Sequence, residues 1–439
     1  MAARDTDGSV TGTARAVRVL FINDTARNGG PGRSLHALLR FVDPSLVHRT
    51  VVLPRDGEVA ELLRRDGVTD RLLLEPDLVE NPIEPWDRPM SRADFAAPAA
   101  LRAARFSANV FKVTRGLARL SSLVRREGID LVYCNGTNAN FAGGALARIT
   151  GVPALWHVRY TSIPRLVDGV HRRLSASRGV RRIVCVSGAS AALFGHCPEK
   201  VAVVHNGLDV DAFAAERVRG TLRAELGLGP EVVVFGSHGR VLRRKGFVEM
   251  LRAAALAIER LGPDRRASIA FVVVGDTPED FATDHVLECR ALAAQLGIAD
   301  RVHLLGFRRD VRPLVVDFDV AVVPSVYADP LPRAVMESMA LGKPVLAFDV
   351  GGVREMLSDG EAGTLLPFAR AEGQGEGASD ASVEALATAF VRYSADRGLR
   401  ERQGAAGRRR VEEEFDARVH ARRIEREILR ASRPGSPPA

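Results

Sequence analysis

Residues 232–246 read VVVFGSHGRVLRRKG. A run of β-branched and aromatic residues halts at small residues, turns through Gly239-Arg240, and delivers a cluster of cations to a helical pattern starting at Phe247. A run without polar alternation marks a strand buried on both faces, and such strands belong to parallel sheets covered by helices. The same strand-then-helix unit recurs in both directions. Upstream lie VRVLFIN (17–23), RTVVLP (49–54), DLVYCN (130–135), PALWHV (153–158), RIVCVS (182–187) and VAVVHN (201–206). Downstream lie IAFVVVGD (269–276), VHLLG (302–306), VAVVPS (320–325), PVLAFD (344–349) and GTLLP (363–367). With the run at 232–237 this makes twelve strands, more than one twisted sheet comfortably holds. The pattern predicts an α/β protein of two facing, Rossmann-like, doubly wound parallel-sheet domains with six strands each.

The division is expected at Asn206-Gly207-Leu208-Asp209, where a strand stops at a turn-type dipeptide ahead of the charged stretch 215–231. The resulting partition is a loose tail (1–16), a first domain (17–206), a second domain (207–397), a strongly charged helix (398–430) and a disordered tail (431–439). Segment 76–97 reads as an irregular insertion and 371–380 as a loop. Between them, a helical stretch at about 98–127 interleaves Arg102, Arg105, Lys112, Arg115, Arg119, Arg125 and Arg126 with Leu, Val and Phe. That pattern fits a helix with its apolar face in the core, and equally one resting on an anionic membrane.

The chain has 439 residues, 46% hydrophobic and 26% charged, which excludes wholesale disorder, collagen and disulfide scaffolds. A net charge of +8 suits anionic partners: nucleotides, phosphates, nucleic acid or an acidic membrane surface. Only Lys112, Lys200, Lys245 and Lys343 are lysines among 62 basic residues, so a lysine kept within a motif draws notice. Cys134, Cys185, Cys197 and Cys289 form no metal-ligand spacing, and a reducing cytoplasmic compartment is expected. The N-terminus has no apolar leader, and no uninterrupted apolar stretch is long enough to span a bilayer.

In open α/β sheets, ligands bind beyond the carboxyl ends of the strands, so loops after strands carry the weight. Asn28-Gly29-Gly30-Pro31-Gly32 follows the first strand and opens a helix. It reads either as a tight turn or as a loop whose amides approach a phosphate or sugar. Arg240 and Lys245, five residues apart on a loop feeding a helix, are spaced to clamp a diphosphate between a guanidinium fork and a point charge. Arg243 and Arg244 read as a solvated basic turn. The third motif, SVYADPLPRAVMESMALGKPV (325–345), places Asp329 just before a helix opening at Pro332 or Arg333, with Glu337 two turns along it. The two acids suit hydroxyls of a sugar ring and of a ribose, or else a helix cap and an exposed helical acid.

The order of these pieces resembles the retaining GT-B glycosyltransferases of family four, the group 1 glycosyl transferases, over about residues 17–370. NGLD (206–209) is similar to that family's NGVD turn, GRVLRRKG (239–246) to its G-R-x4-K-G element, and VVVGDTPE (272–279) to its GDGPE strand end. LLGFRRDV (304–311), the D-x7-E stretch and GGVREM (351–356) follow in the family's order. The resemblance implies that Arg240 and Lys245 hold the donor diphosphate, Glu337 the ribose hydroxyls and Asp329 the sugar hydroxyls. It implies that His157 sits near the anomeric carbon, Gly30 lines the floor of the donor site, and backbone near Phe307 and Arg308 holds the base. Among Pro330-Leu331-Pro332 only Leu331 keeps an N–H to offer a phosphate. The family usually has Glu where this chain has Asp329, a side chain one methylene shorter.

What the resemblance implies in function is retaining transfer of a sugar, hexosyltransferase-type, from a nucleoside diphosphate to a saccharide, lipid-linked or small-molecule acceptor, as in cell-surface glycan or polysaccharide biosynthesis. It implies no cofactor beyond the nucleotide sugar and no metal, the cation pair taking that part. Asp209-Val210-Asp211 and Asp317-Phe318-Asp319 mimic the metal motif of another fold, but sit at a turn and a helix-to-strand junction and read as structural. The acceptor is expected on the first domain, with peripheral attachment to the inner membrane face if it is lipid-linked. Two rivals stand beside this reading. A sugar-nucleotide epimerase or phosphorylase on the same fold would act without acceptor or would need a pyridoxal lysine. A non-enzymatic basic binding protein would bind nucleic acid in a salt-sensitive way, and with 5% aromatics no nucleic acid partner is expected.

Overall fold

The protein, seen as a computed structural model that describes residues 15–26, 29–78, 99–278, 283–371 and 377–433, builds two all-parallel sheets. The first runs in the order β3-β2-β1-β4-β5-β6-β7. Its strands are β1 (Val17–Asn23), β2 (Val47–Leu53), β3 (Arg71–Leu74), β4 (Leu131–Asn135), β5 (Ala154–Val158), β6 (Val180–Cys185) and β7 (Val201–Val203). The second runs β10-β9-β8-β11-β12-β13. Its strands are β8 (Val233–His238), β9 (Ile269–Val274), β10 (Val302–Leu304), β11 (Val320–Val323), β12 (Val345–Phe348) and β13 (Gly363–Leu366). All twelve expected strands form, and a thirteenth corrects the even split. β3 is a four-residue edge strand, Arg-Leu-Leu-Leu, with no fully buried residue, too short and too exposed to stand out as a buried run.

The direction of winding reverses between β1 and β4 in the first sheet and between β8 and β11 in the second. At such a switch the two flanking loops diverge and leave a crevice beyond the strand ends. The glycine loop follows β1, the Arg240–Lys245 loop follows β8, and the D-x7-E stretch follows β11. Burial explains the strand composition: Val19, Leu20, Phe21 and Ile22 of β1 are all fully buried, because helices cover both faces.

One expected helix is in fact two. Residues 398–430 divide into Arg397–Glu414 and Ala417–Ser432. The break falls at Phe415-Asp416, where the Asp416 carboxylate caps the second helix by accepting the Arg418 N–H at 2.6 Å. The two halves serve different domains. Val411 and Phe415 lie in the core of the second, whereas Ala421, Ile424, Ile428 and Ala431 complete the core of the first. Arg182 pairs with Glu427 at 2.7 Å, and Arg181 donates to the Ala431 and Arg433 carbonyls at the helix end. The first domain is therefore 17–206 plus 417–432, not 17–206 alone. The chain passes between domains twice, side by side: Leu208 N–H donates to Phe415 O and Ala417 N–H to Leu208 O, each at 2.8 Å. A methyl at Gly207 would lie 2.4 Å from Ala417 Cα, so only glycine permits this crossing.

Helix Ala99–Arg126 matches the expected 98–127 span. Its second half is core, with Leu120, Leu123 and Val124 buried and Arg115 and Arg119 paired to Asp77 and Glu75. Its first half leaves Leu101, Phe106, Val110 and Phe111 exposed. Most of the 76–97 insertion, the centre of the 371–380 loop, Asn28 and nearly all of both tails lie outside the described residues.

Candidate active site

The two switch points share one cleft of about 570 Å³. Its first-domain wall carries Gly29, Gly30, Pro31, Arg33, Arg159 and Asn206; its second-domain wall carries Arg240, Lys245, Asp329 and Glu337. Thr161 bridges the walls, its Oγ1 donating to the Ala328 carbonyl at 2.7 Å.

Of the nine site residues read from the sequence, eight line this cleft: Gly30, Arg240, Lys245, Phe307, Arg308, Asp329, Leu331 and Glu337. Gly30 begins helix Gly30–Phe41, and a Cβ there would meet nothing within 4 Å. Neither packing nor a left-handed backbone demands glycine at that point; open space beside a helix N-terminus suits close approach by a ligand. Arg240 is exposed on the opposite wall with no ion pair among the described residues.

Lys245 and Asp329 hold each other at 2.6 Å, and the Tyr327 hydroxyl donates to the same carboxylate oxygen at 2.7 Å. Burial works to raise the Asp329 pKa, but the Lys245 ammonium, the Tyr327 hydroxyl and the Leu331 N–H together hold it below its ordinary value. On Lys245 burial pulls downward and the Asp329 charge overcomes it, so the ammonium stays protonated. The Leu331 amide, expected to face a phosphate, also favours the charged form of Asp329. The glycine pair that follows β12 supports this loop: Gly352 N–H donates to Asp329 O at 2.9 Å, and a Cβ on Gly351 would lie 2.2 Å from the same carbonyl.

Glu337 is buried on helix Arg333–Ala340 between Arg333 and His238. Its Oε2 meets His238 Nε2 at 3.0 Å, and its Oε1 accepts from Arg333 at 3.0 Å one turn away. Burial alone would raise its pKa, yet the Arg333 guanidinium and the His238 ring bring it down to about 2. The carboxylate is thus fixed and ionised, a ready acceptor for a vicinal diol. Arg408 of helix Arg397–Glu414 donates to the Ala340 carbonyl at 2.6 Å, closing the far end of the Glu337 helix.

His157 is the exception. It lies on β5, fully buried beneath the cleft wall rather than on it. Its Nδ1 meets the Tyr133 hydroxyl and, at 3.2 Å, Arg159; its ring lies 6.0 Å from that of His420. Burial first, then the Arg159 guanidinium and the neighbouring His420, push its pKa well below the usual histidine value, so it is a neutral ring. Two residues on, past the strand end, Arg159 is the side chain from this strand that reaches the cleft.

Sequence reasoning missed His238, Arg333, Tyr327 and Arg159. Arg333 stands four residues before Glu337, a helical ion-pair spacing that was open to reading. His238 ends the strand of the opening motif. Arg159 follows His157 at strand spacing, on the same side. The D-x-D sequences are structural as read: Asp209 and Asp211 pair with Arg40 and Arg418, while Asp317 and Asp319 accept from Arg223.

Two Rossmann-like sheets with switch points on one cleft define the GT-B architecture, and solved structures of that class superpose along nearly the whole chain. Anabaena HepE, solved with UDP and glucose, matches with a TM-score of 0.71 at 21% identity, covering 94% of this chain and 99% of that one. Sucrose-phosphate synthase from Thermosynechococcus elongatus matches with a TM-score of 0.70 at 18% identity, covering 94% and 98%.

The chain belongs to the family 4 glycosyltransferases: the Glycosyltransferase Family 4 model matches residues 28–212 and the Glycosyl transferases group 1 model residues 229–393. UDP-Gal:alpha-D-GlcNAc-diphosphoundecaprenol alpha-1,3-galactosyltransferase of Escherichia coli is 27% identical over 266 residues, 56% of this chain and 64% of that protein. D-inositol 3-phosphate glycosyltransferase of Streptomyces scabiei is 33% identical over 247 residues, 55% and 52% of the two chains. The match therefore spans less than two thirds of either relative.

Proposed function

We propose that this protein transfers a sugar, with retention, from a nucleoside diphosphate to a saccharide, lipid-linked or small-molecule acceptor. One observation carries the reading. Arg240 and Lys245 stand together on the loop after β8, across the cleft from the helix start at Gly30, with Asp329 and Glu337 beside them. Two cations and two ionised carboxylates in one cleft suit a ligand that is anionic in the middle and rich in hydroxyls at both ends.

In this reading a diphosphate competes with Asp329 for the Lys245 ammonium, and the released carboxylate turns to the sugar hydroxyls. Glu337, fixed by His238 and Arg333, takes the ribose. Phe307, 60% exposed on the cleft rim, offers its backbone and an apolar face to the base. Negative charge grows on the departing phosphate as the sugar–oxygen bond breaks, and cations already in place there lower the barrier. The acceptor oxygen bonds to the anomeric carbon from the same face, and its proton passes to the departing phosphate oxygen. No separate general base is assigned, and charge neutralisation is assigned to the cation pair rather than to a metal.

The four cysteines are free and buried, which supports a reducing cytoplasmic setting. Among the described residues no helix is long and apolar enough to cross a membrane. The exposed Leu101, Phe106, Val110 and Phe111 support seating at the inner membrane face, where a lipid-linked acceptor would lie. The protein should float with anionic vesicles at low salt and stay behind when Phe106 and Phe111 are changed to Ser.

The test of the activity is Arg240→Ala combined with Lys245→Ala. With folding checked by circular dichroism, transfer from every active donor is expected to fall by at least about 10²-fold. Survival at the parent rate would remove the assignment. Donor turnover that needs no acceptor and releases no sugar would favour the epimerase reading.

A further inference from the structure

Tyr327 lines the cleft on the loop after β11, between the two cations that follow β8 and the Asp329 carboxylate. Arg244 Cζ lies 4.9 Å from the centroid of its ring and Lys245 Nζ 5.2 Å. Its hydroxyl donates to Asp329 Oδ2 at 2.7 Å, and Lys245 Nζ donates to the same oxygen at 2.6 Å. Arg244, expected from the sequence to belong to a solvated turn, is thus stacked on an aromatic face. The backbone fixes the arrangement. Asp329 N–H donates to Tyr327 O at 2.8 Å, and Val326 N–H to Arg244 O at 2.9 Å, which joins the two loops.

Lys245 and Tyr327 are the two side chains that donate to Asp329 among the described residues. Two donors on one oxygen matter most when one of them is drawn away. A diphosphate that takes the Lys245 ammonium leaves behind a buried carboxylate, and an enclosed charge is costly unless hydrogen bonds hold it. Tyr327 is built to stay. Burial raises its pKa, and the Asp329 charge adds to that against the pull of Lys245, so the hydroxyl keeps its proton and remains a donor. The ring keeps Arg244 over its face after the ammonium has left.

Resting on the glycosyltransferase reading above, we propose that Tyr327 is a positioning residue for donor binding. It holds the Asp329 carboxylate while Lys245 changes partner from that carboxylate to the diphosphate. Tyr327 acts through Asp329 and not on the phosphates. Oδ2 stays with the phenol, and Oδ1 is left for a sugar hydroxyl. The exchange makes Lys245 available without leaving a bare charge in the wall of the cleft.

The full-length protein is titrated calorimetrically with UDP, GDP and ADP. The tightest of the three is then used on variants whose folding is checked by circular dichroism. Tyr327→Phe keeps the ring against both cations and removes only the hydroxyl. Affinity is expected to fall about 10-fold, as the loss of one charge-assisted hydrogen bond implies. In an Asp329→Asn background no charge is left behind, and the same change should alter affinity by less than about two-fold. Asp329→Asn alone should bind at least as tightly as the parent, because Lys245 has lost its competing partner. A tyrosine that merely shapes the loop would cost the same in both backgrounds, and that result overturns the proposal. Undiminished affinity in Tyr327→Phe overturns it too. So does weaker binding in Asp329→Asn alone, which would mean that Lys245 needs its carboxylate in order to meet the diphosphate. Failure of all three nucleotides to bind the parent protein would instead remove the donor reading beneath it.

Discussion

At the scale of single residues, the site depends on charges held where water would otherwise disperse them. Glu337 keeps its proton off because Arg333 and His238 flank it; His157, His171 and His420 stay neutral chiefly because burial penalises their charged forms. The histidines set a pH response. In the folded chain His171 is lowered to about 4 and His420 to about 3, while in the unfolded chain both return to about 6.5. Between those values the unfolded state binds more protons, so stability is complete above about pH 6.5 and falls as pH falls, by roughly 1.4 kcal/mol per unit for each group. The melting temperature is expected to drop between pH 7.5 and 5.5, and His420→Gln should flatten the drop; a profile equally steep in the variant would contradict this account. A second residue-scale prediction concerns the last glycine of the opening motif. Gly246 has φ of +76°, and a Cβ would lie 1.7 Å from Pro324 O. Gly246→Ala should cost about 3 kcal/mol or more in denaturant unfolding, whereas Gly195→Ala, in open space, should cost little. The glycine of that motif serves the approach of β11's loop to the helix start, while Arg240 and Lys245 face the cleft.

Elements show what was open to sequence reading and what was not. Most of the twelve strands announced themselves because burial on both faces removes polar residues from a run; β3, at an exposed edge, sends no such signal. The same logic applies to the site. Residues within loops after strands, such as Lys245 and Asp329, were legible because position after a strand is itself evidence. His238 was legible only as a partner of Glu337, a relation that requires the fold, whereas Arg333 stood at helical ion-pair spacing from it. The misplacement of His157 is one of depth: strand order located it, but only packing shows it beneath the wall with Arg159 in front. The charged stretch at 398–430 misled for a different reason. Its composition is that of a solvated helix, and only a few apolar residues, Val411 and Phe415 in one half and Ile424 and Ile428 in the other, mark buried faces. Ile424→Ala and Ile428→Ala should each cost about 2–5 kcal/mol, against under ~0.5 kcal/mol for Leu287→Ala on the surface. Equal, small effects would mean the helix only rests on the sheet.

Across the whole molecule, few groups join the two domains near the cleft, and one carboxylate gathers several of them. Glu355, on helix Val353–Leu357, accepts N–H from Gly188 at 2.9 Å and Ala189 at 3.3 Å, and meets His205 at 3.1 Å. Glu355→Ala is expected to free the domains to separate, read as a larger radius of gyration in X-ray scattering and a higher KM for the donor with kcat less affected. The side-by-side crossing at Leu208 and Ala417 has another consequence, which concerns time rather than space. Chains emerge from the ribosome N-terminus first, and a leading domain commonly folds before the rest is made. Here the face of the first sheet that awaits Ile424 and Ile428 stays uncovered until the whole of the second sheet has been synthesised. The second domain can finish first, and the first is closed by a helix made after it.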